Sequence, residues 1–238
     1  MPGARVALRK THYFITGKEG AASYIGRVFD RLLDYLQYES QPENRGLPLE
    51  GFYTETRETV NRKGVVTIVG RDIKTIGEGL VFPIAELTSP KSPCRPVAGP
   101  RLYVGNYMIS PERFDEVVVP LLRASLEASR DTHGVFLMNG INPITACSSE
   151  FLQVLKQAID DPGKLHLIGT MACPQPGINH YTPAMKSVLS YIQTHPLCAV
   201  QEVTPNKFGK SADKLMGELM KAVDGVGKNK DDTNTDAT

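Results

Sequence analysis

The sequence predicts an α/β fold in which a mostly parallel sheet is covered by helices on both faces. Short β-rich runs alternate with helices whose apolar residues recur three and four positions apart, as in repeated strand–helix units. The run at residues 135–138 is continuously apolar, which is typical of a strand buried on both faces. The formal net charge of +1 gives no overall field that would favour nucleic acid or an anionic membrane as a partner.

The N-terminal half of the chain predicts one long helix among several strands. Residues 12–16 form a predicted strand that ends in Gly17, and apolar residues at helical spacing follow over residues 21–38. Residues 41–47 contain a proline and a glycine and therefore end that helix. Further strands are predicted at residues 51–55, 65–69, 80–84 and 101–109.

Serine and proline mark the start of the first helix in the C-terminal half. Ser110 is the predicted N-cap and Pro111 the first helical residue, a position where the missing N–H leaves no hydrogen bond unmade. Ser148 and Ser149 are also predicted caps rather than nucleophiles, because no G-x-S-x-G turn is present. The remaining helices are predicted at residues 151–159, 184–194 and 211–223, and the remaining strands at residues 135–138, 165–168 and 199–203.

We predict a single domain over residues 1–224, since no internal repeat divides this stretch. Residues 88–100 contain four prolines and form a predicted loop inside the domain. Residues 225–238 are polar and charged with few apolar positions, so they form a predicted disordered tail. A Pro/Gly-rich loop is predicted at residues 173–183.

No apolar run approaches the roughly 20 residues that a membrane-spanning helix requires, so we expect an intracellular protein without membrane contact. The stretch that carries Arg5, Arg9 and Lys10 precedes the first acidic residue, Glu19. This pattern keeps mitochondrial targeting open beside a cytoplasmic or cytoskeletal location. The four cysteines form no C-x-x-C pair and the five histidines show no ligand spacing, so no metal site is expected.

Gly17 lies between a strand and a helix, where a phosphate-binding loop would lie in such a fold. A working loop has the pattern G-x-x-x-x-G-K-[ST]: its backbone N–H groups hold phosphates, its lysine neutralises their charge and its hydroxyl binds Mg²⁺. Residues 17–24 retain only part of this pattern. Gly17 and Gly20 preserve the turn, while Ala22, Ser23 and Tyr24 replace the last glycine, the lysine and the hydroxyl residue.

The missing lysine predicts weak phosphate binding. A charge-assisted hydrogen bond contributes about 1.5–3 kcal/mol, so its loss alone weakens affinity by a factor of tens to hundreds. Tyr24 adds bulk and Glu19 adds a negative charge to a loop that would hold an anion. An alternative hypothesis gives the cationic role to Lys18, as in loops with an extra early lysine, although those loops keep the later lysine as well.

Several segments together resemble one known family. They are the strand and turn at residues 14–17, the run Leu-Pro-Leu-Glu-Gly-Phe-Tyr-Thr-Glu at 47–55 followed by Arg57, Val-Gly-Asn-Tyr at 104–107, Val-Pro-Leu-Leu-Arg at 119–123, and Ile-Gly-Thr at 168–170 with Pro174. Over residues 13–223 the chain is similar to the cancer-related nucleoside-triphosphatases, small P-loop proteins with thermophilic bacterial and archaeal relatives. The resemblance implies a P-loop NTPase-like fold.

The resemblance also implies where the metal-binding and nucleotide-binding residues should lie. In the family a strand ends in Asp-Glu-Ile-Gly-x-Met-Glu, whose Asp holds Mg²⁺ through water and whose Glu activates the attacking water. Asn139 and Gly140 stand at these two positions, so the charge that balances Mg²⁺ and the general base are both missing. Arg57 is retained, and Asn206-Lys207 partly matches an Asn-Arg pair near the base, so these three residues are candidates for residual nucleotide binding.

These substitutions lead to the hypothesis of a catalytically silent P-loop protein. It would not be an enzyme, would have no catalytic residues, metal or cofactor, and would serve as a structural component with protein partners in a cytoskeletal, flagellar or mitochondrial assembly. Two alternatives stay open: a nucleoside-triphosphatase with weak, unorthodox activity, and a nucleotide-binding module without turnover. Weak binding of Mg-ATP or Mg-GTP stays open with them.

Overall fold

The computed structural model describes residues 10–17, 22–88, 102–161, 163–171, 182–204 and 208–224. Within these residues the chain forms nine strands and five helices, together with a 3-10 turn at Thr145–Cys147. In chain order they are β1 (His12–Gly17), α1 (Ala22–Glu39), β2 (Leu49–Val60), β3 (Val66–Ile76), β4 (Val81–Leu87), β5 (Leu102–Val104), β6 (Tyr107–Ile109), α2 (Pro111–Ala128), β7 (Gly134–Ile141), α3 (Ser149–Asp160), β8 (Leu165–Met171), α4 (Pro183–Thr194), β9 (Cys198–Val203) and α5 (Phe208–Asp224).

All nine strands belong to one mixed sheet with the order β5-β6-β4-β3-β2-β7-β8-β1-β9. The strands β2, β7, β8, β1 and β9 are parallel to one another, while β3, β4, β6 and β5 extend the sheet in antiparallel pairs. The short turns between β2, β3 and β4 explain this difference, because a parallel pair needs a long crossover connection. The predicted α/β fold is confirmed.

The helices cover both faces of the sheet, because side chains of each parallel strand alternate between two cores. In β7, Phe136 and Met138 pack with α2, α3 and α4, while Val135 and Leu137 pack with α1 and α5 on the other face. The strand β1 alternates in the same way, with Phe14 on the first face. Two buried faces account for the apolar run from which β7 was predicted.

Four phenylalanines fix α2 and α3 against the sheet. Phe52 contacts Phe114, Phe136 and Phe151 edge-to-face at centroid distances of 5.6, 6.3 and 6.0 Å, and Phe114 contacts Phe151 at 5.1 Å. Each such pair contributes about 0.5–1.5 kcal/mol beyond the burial of its area. Because these rings come from β2, β7, α2 and α3, the cluster holds the parallel strands in place around the carboxyl end of β7.

The β2–β3 hairpin extends beyond the parallel part of the sheet. The strand β2 pairs with β7 only from Leu49 to Phe52, and then continues with β3 as far as Val60. Val60 and Val66 form the last pair of this hairpin, and their side chains are 64% and 55% exposed. The sequence predicted much shorter strands here, since an exposed ribbon lacks the regular apolar alternation that marks a half-buried strand.

Some predicted boundaries and caps were wrong. The strand predicted at residues 101–109 is the hairpin β5–β6, which turns at Gly105 with φ +57°. Ser110 precedes α2 but makes no capping hydrogen bond with its side chain, whereas Ser148 accepts one from the Phe151 amide at 2.8 Å. The predicted tail at residues 225–238 lies outside the described residues, as do residues 89–100 and 173–181 of the predicted loops at 88–100 and 173–183. Pro183, predicted as the end of the second loop, is the first residue of α4. Among the described helices, none is both long and apolar enough to span a bilayer.

Candidate functional site

The topology places a candidate site at the carboxyl ends of β1 and β8. The helix α1 follows β1 on one face of the sheet, while α4 follows the adjacent strand β8 on the other face. Ligands of open α/β sheets bind in the crevice outside the carboxyl ends of two such strands, because their connections diverge there. In this chain the crevice lies next to Gly17 and Thr170.

Gly17 ends β1 in a buried position and pairs with Val203 of β9. The 18-residue helix α1 begins at Ala22, so the positive end of its dipole lies close to the carboxyl end of β1. A strand followed within a few residues by a helix is the arrangement expected around a phosphate-binding loop. The intervening Lys18 and Gly20 lie outside the described residues.

The first turn of α1 presents Ser23 to solvent and holds Tyr24 half-buried against the core on the α1 and α5 face. The Arg27 guanidinium lies over the Tyr24 ring, 5.9 Å from its centroid. The ring of Tyr24 therefore packs against the core formed with α1 and α5. Arg27, which was not among the predicted site residues, brings a cation to the second turn of α1. Its position three residues after Tyr24, on the same side of the helix, could have indicated this contact.

Asn139 and Thr170 join the carboxyl ends of β7 and β8. The Thr170 hydroxyl, which is buried, donates a hydrogen bond to Asn139 Oδ1 at 2.9 Å. The pairing of β7 with β8 shifts register between Met138 and Ile141, so the contact lies at this irregularity near the carboxyl ends of the two strands. The structure thus brings the predicted residue Asn139 to the same edge as Gly17, with Thr170 on the strand between them.

Gly140 adopts a backbone conformation that favours glycine. Its φ is +102°, and a Cβ built there would lie 2.6 Å from Asn142 Nδ2. The Thr145 hydroxyl donates to the Gly140 carbonyl at 2.8 Å and accepts from the Asn142 amide at 3.0 Å. These bonds hold the segment closed, so a glutamate at position 140 would require the backbone to move.

The side chains of Asn142 and Thr145 satisfy backbone groups of the turn after β7. Asn142 Oδ1 accepts from the amides of Ile144 and Thr145 at 2.8 and 3.2 Å. The Cys147 thiol donates to the Pro143 carbonyl at 3.0 Å, and burial raises the pKa of this thiol. A protonated thiol that already donates a hydrogen bond is a poor nucleophile, so Cys147 contributes to the structure of this turn.

The groups at this edge do not fit the Mg²⁺ site that the family resemblance implies. Mg²⁺ prefers carboxylate, phosphate and water oxygens in octahedral geometry. Asn139 offers a neutral amide whose oxygen already accepts a hydrogen bond from Thr170. Within the described ranges, no three histidine, cysteine or acidic side chains are arranged to hold a metal ion.

Arg57 is engaged in the antiparallel part of the sheet. Its guanidinium forms ion pairs with Asp72 at 2.9 Å and with Glu86 at 2.6 Å, and so links β2, β3 and β4. Burial raises the pKa of Asp72, while the charge of Arg57 opposes this shift. These contacts support a structural place for Arg57, and its role in nucleotide binding stays a prediction. The other two predicted base-binding residues, Asn206 and Lys207, lie outside the described residues.

Histidines meet at the opposite, amino edge of the parallel strands. His133 Nδ1 lies 2.9 Å from His166 Nε2 with the rings stacked, and His166 Nδ1 donates to the Thr11 carbonyl at 3.0 Å. Burial lowers the pKa of the neighbouring His12 to about 4. This cluster could not be predicted from the sequence, because its members come from separate elements. It lies away from the carboxyl ends of β1 and β8.

A strand that ends at Gly17 and a helix that begins at Ala22, at the divergence point of a mixed α/β sheet, form the arrangement of a P-loop NTPase-like protein. No family model matches the chain. A cancer-related nucleoside-triphosphatase homolog of Mus musculus is 27% identical over 165 residues, which cover 69% of this chain and 76% of that protein. The nucleoside-triphosphatase THEP1 of Aquifex aeolicus is 30% identical over 124 residues, or 50% of this chain and 61% of that protein.

Solved structures agree with this fold. The solution structure of a human cancer-related nucleoside triphosphatase superposes with a TM-score of 0.62 at 21% identity, covering 88% of this chain and 96% of the other. The crystal structure of THEP1 from Aquifex aeolicus gives 0.57 at 21% identity, covering 87% and 98%. In sequence and in fold the chain is therefore similar to the small nucleoside-triphosphatases named cancer-related nucleoside-triphosphatase and THEP1.

The prediction that the chain is not an enzyme is wrong. Its relatives at 24–30% identity are named nucleoside-triphosphatases, which points to an enzyme. That prediction rested on substitutions at individual motif positions. Phosphoryl transfer depends mostly on how groups position the substrate and compensate its charge, and backbone N–H groups and a helix dipole also supply such compensation.

Proposed function

We propose that the protein hydrolyses a nucleoside triphosphate, ATP or GTP, in the crevice at the carboxyl ends of β1 and β8. The observation that carries this proposal is the hydrogen bond between Thr170 and Asn139 at the point where the helices after β1 and β8 diverge. It presents polar side chains beside Gly17, where the N-terminus of α1 favours an anion. The names of the relatives support the reaction class.

In this proposal the phosphates are held by hydrogen-bond donors. The positive end of the α1 dipole, which lies close to Gly17, attracts the anion. The Thr170 hydroxyl occupies Asn139 Oδ1, which leaves the Asn139 Nδ2 group as a donor for a phosphate oxygen. Thr170 is therefore a positioning residue that fixes the orientation of the Asn139 amide.

We expect slow turnover. A positioned general base contributes about 10²- to 10⁴-fold to rate, and Gly140 has no side chain with which to activate water. Oriented donors around the phosphates still stabilise the charge that develops during phosphoryl transfer. The proposed enzyme thus relies on positioning and charge compensation, with a rate below that of a site that has a carboxylate base.

Phosphate release from ATP and from GTP tests the proposal directly. We expect saturable release by the purified full chain and a nucleotide-dependent rise in Tm at millimolar ligand. Thr170→Val should lower the rate and the Tm rise together, because the Asn139 amide is then free to turn. Thr59→Val makes the same chemical change at an exposed position of the β2–β3 hairpin and should alter neither. If neither nucleotide is hydrolysed nor raises Tm, the proposal is wrong.

A role in a protein assembly is a second candidate function, and the exposed β2–β3 hairpin favours it. Val60, Val66 and Ile68 are 64%, 55% and 43% exposed, and an exposed apolar ribbon is a typical surface for binding another protein. Quantitative pull-downs from native extract should compare the wild-type chain with a Val60→Thr, Val66→Thr variant. A partner retained by the first and lost by the second supports this role; identical partner sets contradict it.

A further inference from the structure

Two adjoining cavities run along α2 at the amino ends of the parallel strands, opposite the candidate nucleotide site. One, of about 650 Å³, lies between α2 and the turn that joins β3 to β4. The other, of about 210 Å³, lies over the amino ends of β7 and β8. Glu50, Leu121 and Ala124 line both, so the cavities form one elongated depression, the α2 groove. Its larger part is within the size range of small-molecule sites.

The two ends of the α2 groove differ in polarity. The larger cavity carries three carboxylates, those of Glu50, Glu78 and Glu116, and one guanidinium, that of Arg113. The smaller cavity is lined mostly by small and apolar residues, which include Ala124, Ala128, Gly134, Val135 and Leu165. Glu50 lies at the junction. A ligand that matches this lining has a cationic head and an apolar body.

The three carboxylates of the larger cavity outnumber its one guanidinium, that of Arg113. Glu50, Glu78 and Glu116 form none of the ion pairs found in the described part of the chain. Burial raises the pKa of Glu50, and the Glu78 carboxylate raises it further, so a negative charge on Glu50 is held at a cost. A bound cation would relieve this repulsion.

We propose that the α2 groove binds a primary amine carried on an unbranched apolar chain, with the ammonium group beside Glu50 and the chain in the smaller cavity. An ammonium group has three donors, which suit the carboxylates that surround the larger cavity. A carboxylic acid of the same length would place its negative charge against three others. Because the groove lies at the amino edge, its occupancy is independent of the nucleotide proposal.

The contributions of charge and of apolar burial to binding are separated by three ligands: octylamine, octanol and octanoate. Each is titrated separately into the full-length protein, and binding is followed by calorimetry and by backbone NMR shifts. We expect saturable binding of octylamine with shifts at Leu121, Ala124 and Ala128. Octanol should bind at least about tenfold more weakly, because it lacks the charge-assisted hydrogen bonds. Octanoate should bind most weakly. Equal affinities for octylamine and octanol, or no saturable binding of octylamine, would overturn the proposal.

Variants then test each end of the groove. Glu50→Gln keeps the shape of the side chain but removes its charge. It should weaken the binding of octylamine about tenfold and leave the affinity for octanol unchanged. If Glu50→Gln does not fold, Glu116→Gln is read in the same way. Ala128→Leu fills the smaller cavity, so it should weaken the binding of octylamine and leave the affinity for the shorter butylamine unchanged. The control is Glu127→Gln, an exposed carboxylate of α2 that pairs with Arg130 at 2.8 Å and does not line the groove. Unchanged octylamine affinity in the Glu50 and Glu116 variants contradicts the assignment.

Discussion

The Thr145 hydroxyl donates a hydrogen bond to the Gly140 carbonyl at 2.8 Å, and this bond closes the segment that follows β7. It holds Gly140 at φ +102° while Thr145 itself is fully buried. The carboxyl end of β7 is therefore shaped by a glycine conformation and a buried threonine. Replacing the glycine tests whether this shape is required.

Gly140→Glu, the change that would add a carboxylate, should destabilise the protein. A positive φ costs a non-glycine residue about 1–2 kcal/mol, and the added Cβ also meets Asn142 Nδ2 at 2.6 Å. We expect a loss of about 2 kcal/mol or more in the free energy of unfolding, measured by urea denaturation. Gly26→Ala is the matched control, since no atom lies within 4 Å of its added Cβ inside α1. A Gly140 variant as stable as the wild type would mean that the segment relaxes freely.

Nucleotide binding should not depend on Mg²⁺. Asn139 is neutral and its Oδ1 accepts from Thr170, so the described edge offers a hydrogen-bond donor where the family resemblance implies a metal anchor. We expect the same Kd for ATP in Mg²⁺ as in EDTA, measured by calorimetry. Asn139→Asp restores a carboxylate and should make binding tighter in Mg²⁺ than in EDTA.

Asn106→Asp, in the exposed turn between β5 and β6, adds the same charge elsewhere and is the control for the Asn139 variant. A wild-type Kd that falls strongly when Mg²⁺ is added would contradict the donor role of Asn139. It would leave the hydrolysis proposal standing, because phosphate release is measured separately. Equal behaviour of the two Asp variants would show that position 139 has no special relation to the metal.

The sequence predicted the parallel half of the sheet well, for physical reasons. A strand buried on both faces must be apolar throughout, which identified β7, and helices packed on one face repeat every three to four residues, which identified α1 and α3. The exposed end of the β2–β3 hairpin follows neither pattern, so its length was missed. The β5–β6 hairpin was missed because a single glycine, Gly105, turns it.

The candidate site was predicted only in part. The sequence identified Asn139 and Gly140 as substituted positions, but it could not show that Gly140 has a positive φ or that Thr170 orients Asn139. Such relationships depend on the local backbone and on the register shift between β7 and β8, which the sequence pattern does not show. For the same reason, missing motif residues led to a wrong prediction of inactivity.

Arg57 should contribute to stability rather than to nucleotide affinity. Its guanidinium forms ion pairs with Asp72 and Glu86 across three strands, and Asp72 is mostly shielded from solvent. Arg57→Leu leaves a partly buried carboxylate without its partner, so we expect a loss of about 1–3 kcal/mol in unfolding free energy. Arg31→Leu, which removes an ion pair to Asp213 between exposed side chains, should cost under about 1 kcal/mol. A large rise in the Kd for ATP with little loss of stability would instead support the predicted nucleotide role.

His12 should make the protein less stable in acid. Its Nδ1 accepts from the Leu167 amide and its Nε2 donates to the Ile159 carbonyl, both at 3.2 Å, so the fold requires the neutral ring. Burial, and then the nearby His166, lower the pKa of His12 from 6.5 to about 4. The unfolded chain therefore binds the proton more readily between these values, and stability is complete above pH 6.5 and falls as the pH drops towards 4. The shift corresponds to about 3 kcal/mol, which urea denaturation at pH 7.5 and pH 4.5 would measure. The His12→Gln side chain cannot titrate, so this variant should show a flatter pH dependence of the unfolding free energy. An equally steep loss of stability in that variant would show that other groups cause the dependence.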